Sequence, residues 1–274
     1  MKLDRIKLVL IVLTFSVILL SACNHKSSHT NPSSLSDEQF KDFMSRANKL
    51  FKEYNSDTSS NAPDKLVEGA RVLQKDYPSQ ANGYQLVMCA MDDCASDNPA
   101  KARAWGNEII DGAAPERFKL WAKGFLYRLD SQGKPITIQF IAVDGREVDL
   151  AKMKGKVVLV DFWSTGCVPC VAELPRVKAA LEKYQQKGFE VVGISCDTDK
   201  DKLERFLKEK GVAWPQYFDG QQQERNKFAK GFGIDGIPHM FFVDKKGCLR
   251  YDNVRAKGDE AVFEKKIEEL LAEQ

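Results

Sequence analysis

Histidine is scarce in this chain of 274 residues: there are three, and two of them, His25 and His29, lie in a polar stretch near the N-terminus. There is one CxxC, with no second to join it. A structural zinc site draws four ligands, usually two such pairs, so the donor set for metal is missing and no metal site is expected. Haem attachment needs a histidine directly after the second cysteine, and Val171 stands there. An excess of charge is also lacking. The net charge is +2, and Lys2, Arg5 and Lys7 outweigh Asp4 by that same amount within the leader. The remainder is near neutral, which argues against nucleic acid as a partner. Long apolar runs are absent except at Leu8–Leu20, which is short for a membrane-spanning helix.

That run follows the short basic segment "MKLDRIK" and precedes "SAC", the order of a secretory leader over residues 1–22. Leu20-Ser21-Ala22-Cys23 resembles a bacterial lipobox. The resemblance implies cleavage before Cys23, lipid on its sulfur, and attachment to a membrane outside the cytoplasm (the periplasmic side in a Gram-negative cell). Residues 23–35 are polar and read as a flexible tether. Disulfides persist in such a compartment, and six cysteines remain after Cys23: Cys89, Cys94, Cys167, Cys170, Cys196 and Cys248.

Two segments of different character follow. Residues 36–132 carry apolar positions at helical spacing, as in Phe40, Phe43, Ala47, Leu50 and Tyr54, and then Leu66, Ala70, Leu73 and Tyr77. Breaks rich in Asn, Asp, Ser and Pro divide the segment into about five helices. "SDEQ" at Ser36 reads as a capping box. "LQKDYPSQANGYQLV" resembles the join between tetratricopeptide-like helix pairs. Residues 131–135 read as a linker to a second domain, 134–274. There "ITIQFIAVDGREVDL" alternates around Asp144-Gly145 as a hairpin does. "KVVLVDFW" and "FEVVGISC" read as buried strands, "HMFFVDKKGCLRYDN" as another hairpin, and helices separate them. Strands alternating with helices specify an α/β fold, a central sheet with both faces covered.

The CxxC, Cys167-Val-Pro-Cys170, falls where a strand gives way to a helix. A disulfide there closes too small a loop to add much stability. It suits redox chemistry. Cys167 would stand at a helix N-terminus, where unpaired N–H groups and the helix dipole favour an anion. The thiolate is the reactive form, and this position draws its pKa down from about 8.5. Cys170, one turn on, is placed to attack a mixed disulfide formed at Cys167. Pro169 suits a first helical turn because it has no N–H to lose.

"KVVLVDFWSTGCVPCVAELP" together with "GIPHMFFVDKKG" resembles the thioredoxin superfamily, and within it the TlpA/ResA-like thiol–disulfide oxidoreductases, over about Pro135–Gln274. The resemblance implies a thioredoxin-like fold, a central mixed sheet flanked by helices, here preceded by a small all-α domain. It implies Cys167 as the attacking and Cys170 as the resolving cysteine, with no cofactor beyond their disulfide. Asp161 matches a buried carboxylate under that disulfide, and Glu173 the acid of the ResA-like branch. Both would move the proton of Cys170, since a desolvated carboxyl has a raised pKa and can trade protons near neutrality. Trp163 matches the aromatic beside the site and Pro175 a proline that kinks the helix. Pro238 matches a cis-proline that presents the Ile237 backbone to an extended substrate, so Trp163, Ile237 and Pro238 are expected to bind substrate. The chain departs from the pattern at Gly166, where relatives carry Trp, and at His239, where they carry Thr. His239 either tunes the thiolate or is a surface substitution.

Implied partners are protein thiols and disulfides, a membrane thiol-transfer electron donor, and a protein that docks on the helical domain. CVPC and Ile237 lean toward reduction of envelope proteins. The alternatives are a disulfide oxidase or isomerase, a peroxiredoxin-like peroxidase, and a binding module in which the CxxC is only a staple. Cys89 and Cys94 form a candidate structural disulfide, provided their helix stops near Asp92–Asp93. Cys196 and Cys248 are expected on opposite sides of the central strand and unjoined.

Overall fold

A computed structural model describes residues 35–220, 226–254 and 260–273. The leader, Cys23 and the tether up to residue 34 lie outside the described residues. The chain divides into two compact units at Ala122/Lys123.

The described part of the first unit is all α-helix: α1 Asp37–Ser56, α2 Ala62–Asp76, α3 Gly83–Cys94, α4 Pro99–Asp111 and the start of α5, Glu116–Asp130. Helices α1 and α4 begin at side-chain caps that the sequence supplies. Ser36 accepts the Gln39 N–H and the Gln39 side chain accepts the Ser36 N–H, at 3.2 and 3.0 Å, the reciprocal box expected of "SDEQ". Asn98 accepts the Lys101 N–H, and Pro99 takes the first turn of α4. The stripe Leu66, Val67, Ala70 and Leu73 of α2 is buried, as are Phe43 and Tyr54 of α1. Helices pack on their chain neighbours, α1 on α2, α2 on α3 and α3 on α4. The candidate disulfide between Cys89 and Cys94 is not formed. Helix α3 continues through Cys94, so the two side chains diverge from one another around it, and the Cys94 thiol donates instead to the Asn98 carbonyl at 3.5 Å.

The division between units falls inside α5, ahead of the linker read at 131–135, and residues 123–130 of that helix group with the second unit. After α5 comes the expected hairpin. Strands β1 Gln139–Ile141 and β2 Glu147–Asp149 pair antiparallel, with Phe140 opposite Val148, around Gly145 at φ +85°. The main sheet has the order β5-β4-β3-β6-β7, with β3 Val157–Trp163, β4 Phe189–Ser195, β5 Gln216–Tyr217, β6 His239–Val243 and β7 Leu249–Val254. Strands β3, β4 and β5 run parallel, and β6 is antiparallel to β3 and β7 to β6. The connections are α6 Val168–Tyr184 between β3 and β4, α7 Lys200–Lys210 between β4 and β5, and α8 Lys227–Gly231 before β6. Helix α9, Glu260–Ala272, ends the described chain. This is the thioredoxin-like arrangement implied by the resemblance. Strand β5 and helix α8 are too short to give a periodic signal in the sequence.

All seven residues of β3 are buried, because each face of the sheet meets its own core. Val157, Leu159 and Trp163 join Cys170, Leu174 and Val177 of α6 on one face. Val158, Val160 and Phe162 join Ile138, Phe232 and Phe241 on the other. Among the described residues no helix is long and apolar enough to cross a membrane.

Candidate active site

Strand β3 ends at Trp163, and four residues later Cys167 caps the N-terminus of α6. Cys167 and Cys170 are joined by a disulfide with Cα atoms 5.2 Å apart. The capping interaction is made by sulfur: Cys167 Sγ accepts the Cys170 N–H at 3.2 Å. An orphan donor of the first helical turn is thus aimed at the atom that becomes the thiolate on reduction. The two cysteines differ in access. Cys170 is buried in the core under α6, while Cys167 is part-exposed. Beside it Val168 is 79% exposed. A Cβ placed on Gly166 would meet nothing within 4 Å, so the absence of the relatives' Trp leaves open space at this edge.

The turn that delivers Cys167 is tied down by a residue the motif does not contain. The Asp197 carboxylate accepts the Thr165 N–H at 3.0 Å and the Thr165 hydroxyl at 2.6 Å, and Ser195 Oγ donates to it at 2.9 Å. The Cys196 N–H bonds the Trp163 carbonyl at 2.8 Å, and Asn226 donates to the Ser195 carbonyl at 2.9 Å. Asp197 was not among the candidates from sequence. Its signal was its place just past the carboxyl end of β4, where neighbouring parallel strands bring their loops together.

Trp163, the aromatic expected beside the site, is a core residue. It is 1% exposed and lies under the site. Its Nε1 donates to Gln216 Oε1 at 2.9 Å, and its ring sits 5.6 Å from that of Phe206. Gln216 fits only because β4 has Gly193 opposite it: a Cβ there would overlap the Gln216 amide.

Side-chain alternation places Asp161 on the same sheet face as Leu159 and Trp163, the face covered by α6 and Cys170. Asp161 is 1% exposed and Glu173, on α6, is 4% exposed. Glu173 is therefore not a solvated helix residue. Both carboxyls are brought to the core side of the disulfide.

The Ile237–Pro238 peptide is cis. His239 follows as the first residue of β6 and pairs with Phe162 of β3, so the Pro238 turn adjoins the end of β3 that leads to Cys167. Ile237 is half-buried and Pro238 buried. Neither expectation for His239 holds. It is buried, and its register with Phe162 puts it on the sheet face opposite Asp161 and α6. There Nε2 lies 2.8 Å from Asp252 Oδ1. Arg128 of α5, 1% exposed, donates from Nε to Asp252 Oδ2 at 2.7 Å. Burial alone would push the Asp252 carboxyl up, but the charges of Arg128 and His239 hold it well below the usual carboxylate range. With Asp252 ionised, His239 Nε2 carries the hydrogen. Arg128 and Asp252 went unremarked in the sequence, since nothing local marks either one.

Cys196 and Cys248 are not disulfide-bonded, and burial pushes the Cys248 thiol up. Among the described residues no three His, Cys, Asp or Glu side chains are grouped as metal ligands.

The family model described as Redoxin matches residues 130–271, just over half of the chain. The thiol-disulfide oxidoreductase ResA of Bacillus thuringiensis is 30% identical over 105 residues, which are 38% of this chain and 58% of that protein. ResA of Geobacillus thermodenitrificans is 32% identical over 108 residues, 39% of this chain and 60% of that protein. The match thus spans less than two thirds of these relatives' length. Among solved structures, the thioredoxin domain of a thiol-disulfide oxidoreductase from Bacteroides vulgatus is 28% identical, covers 51% of this chain and 97% of that domain, and superposes with a TM-score of 0.45.

Proposed function

Because the chain belongs to the Redoxin family, we propose that it is a thiol–disulfide oxidoreductase, lipid-tethered outside the cytoplasm and working as a reductase of envelope protein disulfides. The observation that carries this reading is the unequal pair on α6: a part-exposed Cys167 whose sulfur accepts a helix N-terminal amide, bonded to a buried Cys170.

In the reduced protein the Cys167 thiolate attacks one sulfur of a substrate disulfide. The substrate S–S bond breaks, its other sulfur leaves as a thiolate and takes up a proton, and a mixed disulfide remains on Cys167. The Cys170 thiol then gives up its proton and attacks Cys167 Sγ. The second substrate sulfur leaves, and the disulfide of this structure is restored. Two electrons have passed from the dithiol to the substrate. A membrane thiol-transfer donor has to return them.

Attack from a buried thiol needs a nearby proton acceptor, and Asp161 and Glu173 are the buried carboxyls on that face. Burial disfavours the charged form of a carboxyl, which brings it nearer to a thiol in basicity. Two such groups in one low-dielectric region share a proton more readily than both ionise. Ile237, beside Pro238, supplies main-chain groups to an extended substrate, a small case of strand addition. Lipid on Cys23 with the polar tether keeps the site close to the membrane, and the helical half docks a protein partner.

Cys170→Ser tests the reading. Without its resolving thiol the variant should accumulate substrates on Cys167 as mixed disulfides, recoverable by mass spectrometry and absent from Cys167→Ser. No such adducts in cells would refute it. A reduction potential near about −270 mV supports reduction, while one near about −120 mV would make the protein an oxidant.

A further inference from the structure

The sheet face opposite the CxxC holds a charge cluster that the thiol chemistry does not use, with Arg128 and His239 buried and Asp252 part-exposed. Arg128 Nη1 donates to the carbonyls of Phe232 and Gly233, at 2.5 and 3.2 Å, and its Nε to Asp252 at 2.7 Å. Asp252 receives His239 through its other oxygen. One guanidinium and one carboxylate therefore grip both ends of a single loop: its start at Phe232–Gly233 and its end at His239. Between them lie Ile234, Asp235, Gly236, Ile237 and Pro238. The His239 ring meets Phe162 edge-on at 6.4 Å, next to the end of β3 that feeds the CxxC turn. The backbone of α5 closes in as well. A Cβ on Gly124, one turn before Arg128, would overlap the Gly233 main chain and lie 2.7 Å from the Lys230 carbonyl.

Burying these charges is a poor way to gain stability, since apolar residues of like volume often do as well or better. What the cluster offers is direction. Its hydrogen bonds are charge-assisted and oriented, and they act on the backbone around Ile237.

We propose that Arg128, Asp252 and His239 are positioning residues: they clamp the 234–238 loop so that the Ile237 main chain stays at the angle and height required by an extended protein substrate crossing Cys167. This rests on the thiol–disulfide reading above. The clamp acts on the far side of the sheet from the sulfur atoms, so it governs the fit of polypeptide substrates and leaves the intrinsic reactivity of the dithiol alone.

The test compares two disulfides on the reduced full chain: insulin, which must lie along the loop, and dithiobis(nitrobenzoate), which need only reach Cys167. His239→Leu should raise KM for insulin about tenfold or more while kcat stays within about twofold, the pattern of lost uniform binding. Its rate with dithiobis(nitrobenzoate) should stay within about twofold of wild type. His239→Gln, which keeps an N–H able to reach Asp252, should recover most of the loss. Should His239→Leu fail to fold, Asp252→Asn and Arg128→Lys carry the same comparison. Equal losses on both disulfides, or no loss on insulin, overturn the clamp. A wild-type protein that reduces neither disulfide overturns the functional reading itself, and the clamp with it.

Discussion

Asp161→Asn removes a proton acceptor while nearly preserving the volume it fills, in a strand where all seven residues are buried. The size of the effect follows from the state of Cys170. An ordinary thiol with a pKa near 8.5 is about 3% thiolate at pH 7. Cys170 lies in the core with Leu174 and Val177, and burial lowers the thiolate fraction further. With a carboxylate in place, proton removal accompanies the attack on Cys167, and a positioned base of this kind is worth about 10²–10⁴-fold. The lower end applies, because Glu173, also buried, remains to serve in part. Resolution of the mixed disulfide should therefore slow by about 10²-fold at pH 7 in Asp161→Asn and by less in Glu173→Gln. The double variant should lose less than the product of the two, as coupled groups do. The first attack should be nearly unchanged, since Cys167 takes its help from the Cys170 N–H. The deficit should shrink as pH rises toward the thiol's own pKa, where solvent base suffices. Stopped-flow reduction of a model disulfide between about pH 5 and pH 9 resolves the two steps. An unchanged resolving step with an unchanged pH profile in both single variants would refute the relay.

Gly193→Ala should push Gln216 off Trp163, combining overpacking with an orphaned indole N–H, at a cost of about 2–4 kcal/mol in urea unfolding. Asp252→Ala leaves Arg128 buried without that carboxylate and should destabilise by about 3–5 kcal/mol at pH 7. Because the folded carboxyl of Asp252 is depressed, its contribution is fully present above the unfolded value of about 3.9 and is lost as pH falls through the folded one. The stability gap to wild type should thus close only below about pH 4, as acid-unfolding curves would show; a gap closing near neutrality would contradict the pairing. A fragment from Lys123 should fold and reduce insulin, whereas one from Lys134 lacks Gly124 and Arg128 and should melt lower; equal melting would mean that α5 contributes nothing to the second unit. Cys23→Ser should release the mature protein from membranes or block its processing, and unchanged membrane association and mass would rule out the lipid.

The elements legible in the chain itself are those whose cause lies within a few residues. The capping box at Ser36, the hairpin at Gly145, the apolar run of β3 and the start of α6 at Cys167 each follow from neighbouring side chains and backbone preference. The redox pair belongs with them, because a cysteine at a helix N-terminus and another one turn on are a local arrangement. What the tertiary structure decided are questions of partner and face. Cys89 and Cys94 stay apart because α3 continues to its last cysteine, and packing rather than propensity sets such an end. Trp163 lies beneath the site and not on its surface because Gln216, 53 residues away, bonds its indole. Asp197 reaches the Thr165 amide from 32 residues away. His239 turned out to be neither a thiolate neighbour nor a surface residue, because register with Phe162 sends its ring to the opposite face, where Asp252 meets Arg128 across 124 residues. Such pairs leave no periodicity or spacing to read. Each member is an ordinary polar residue until the sheet closes, and only then does burial make its partner obligatory.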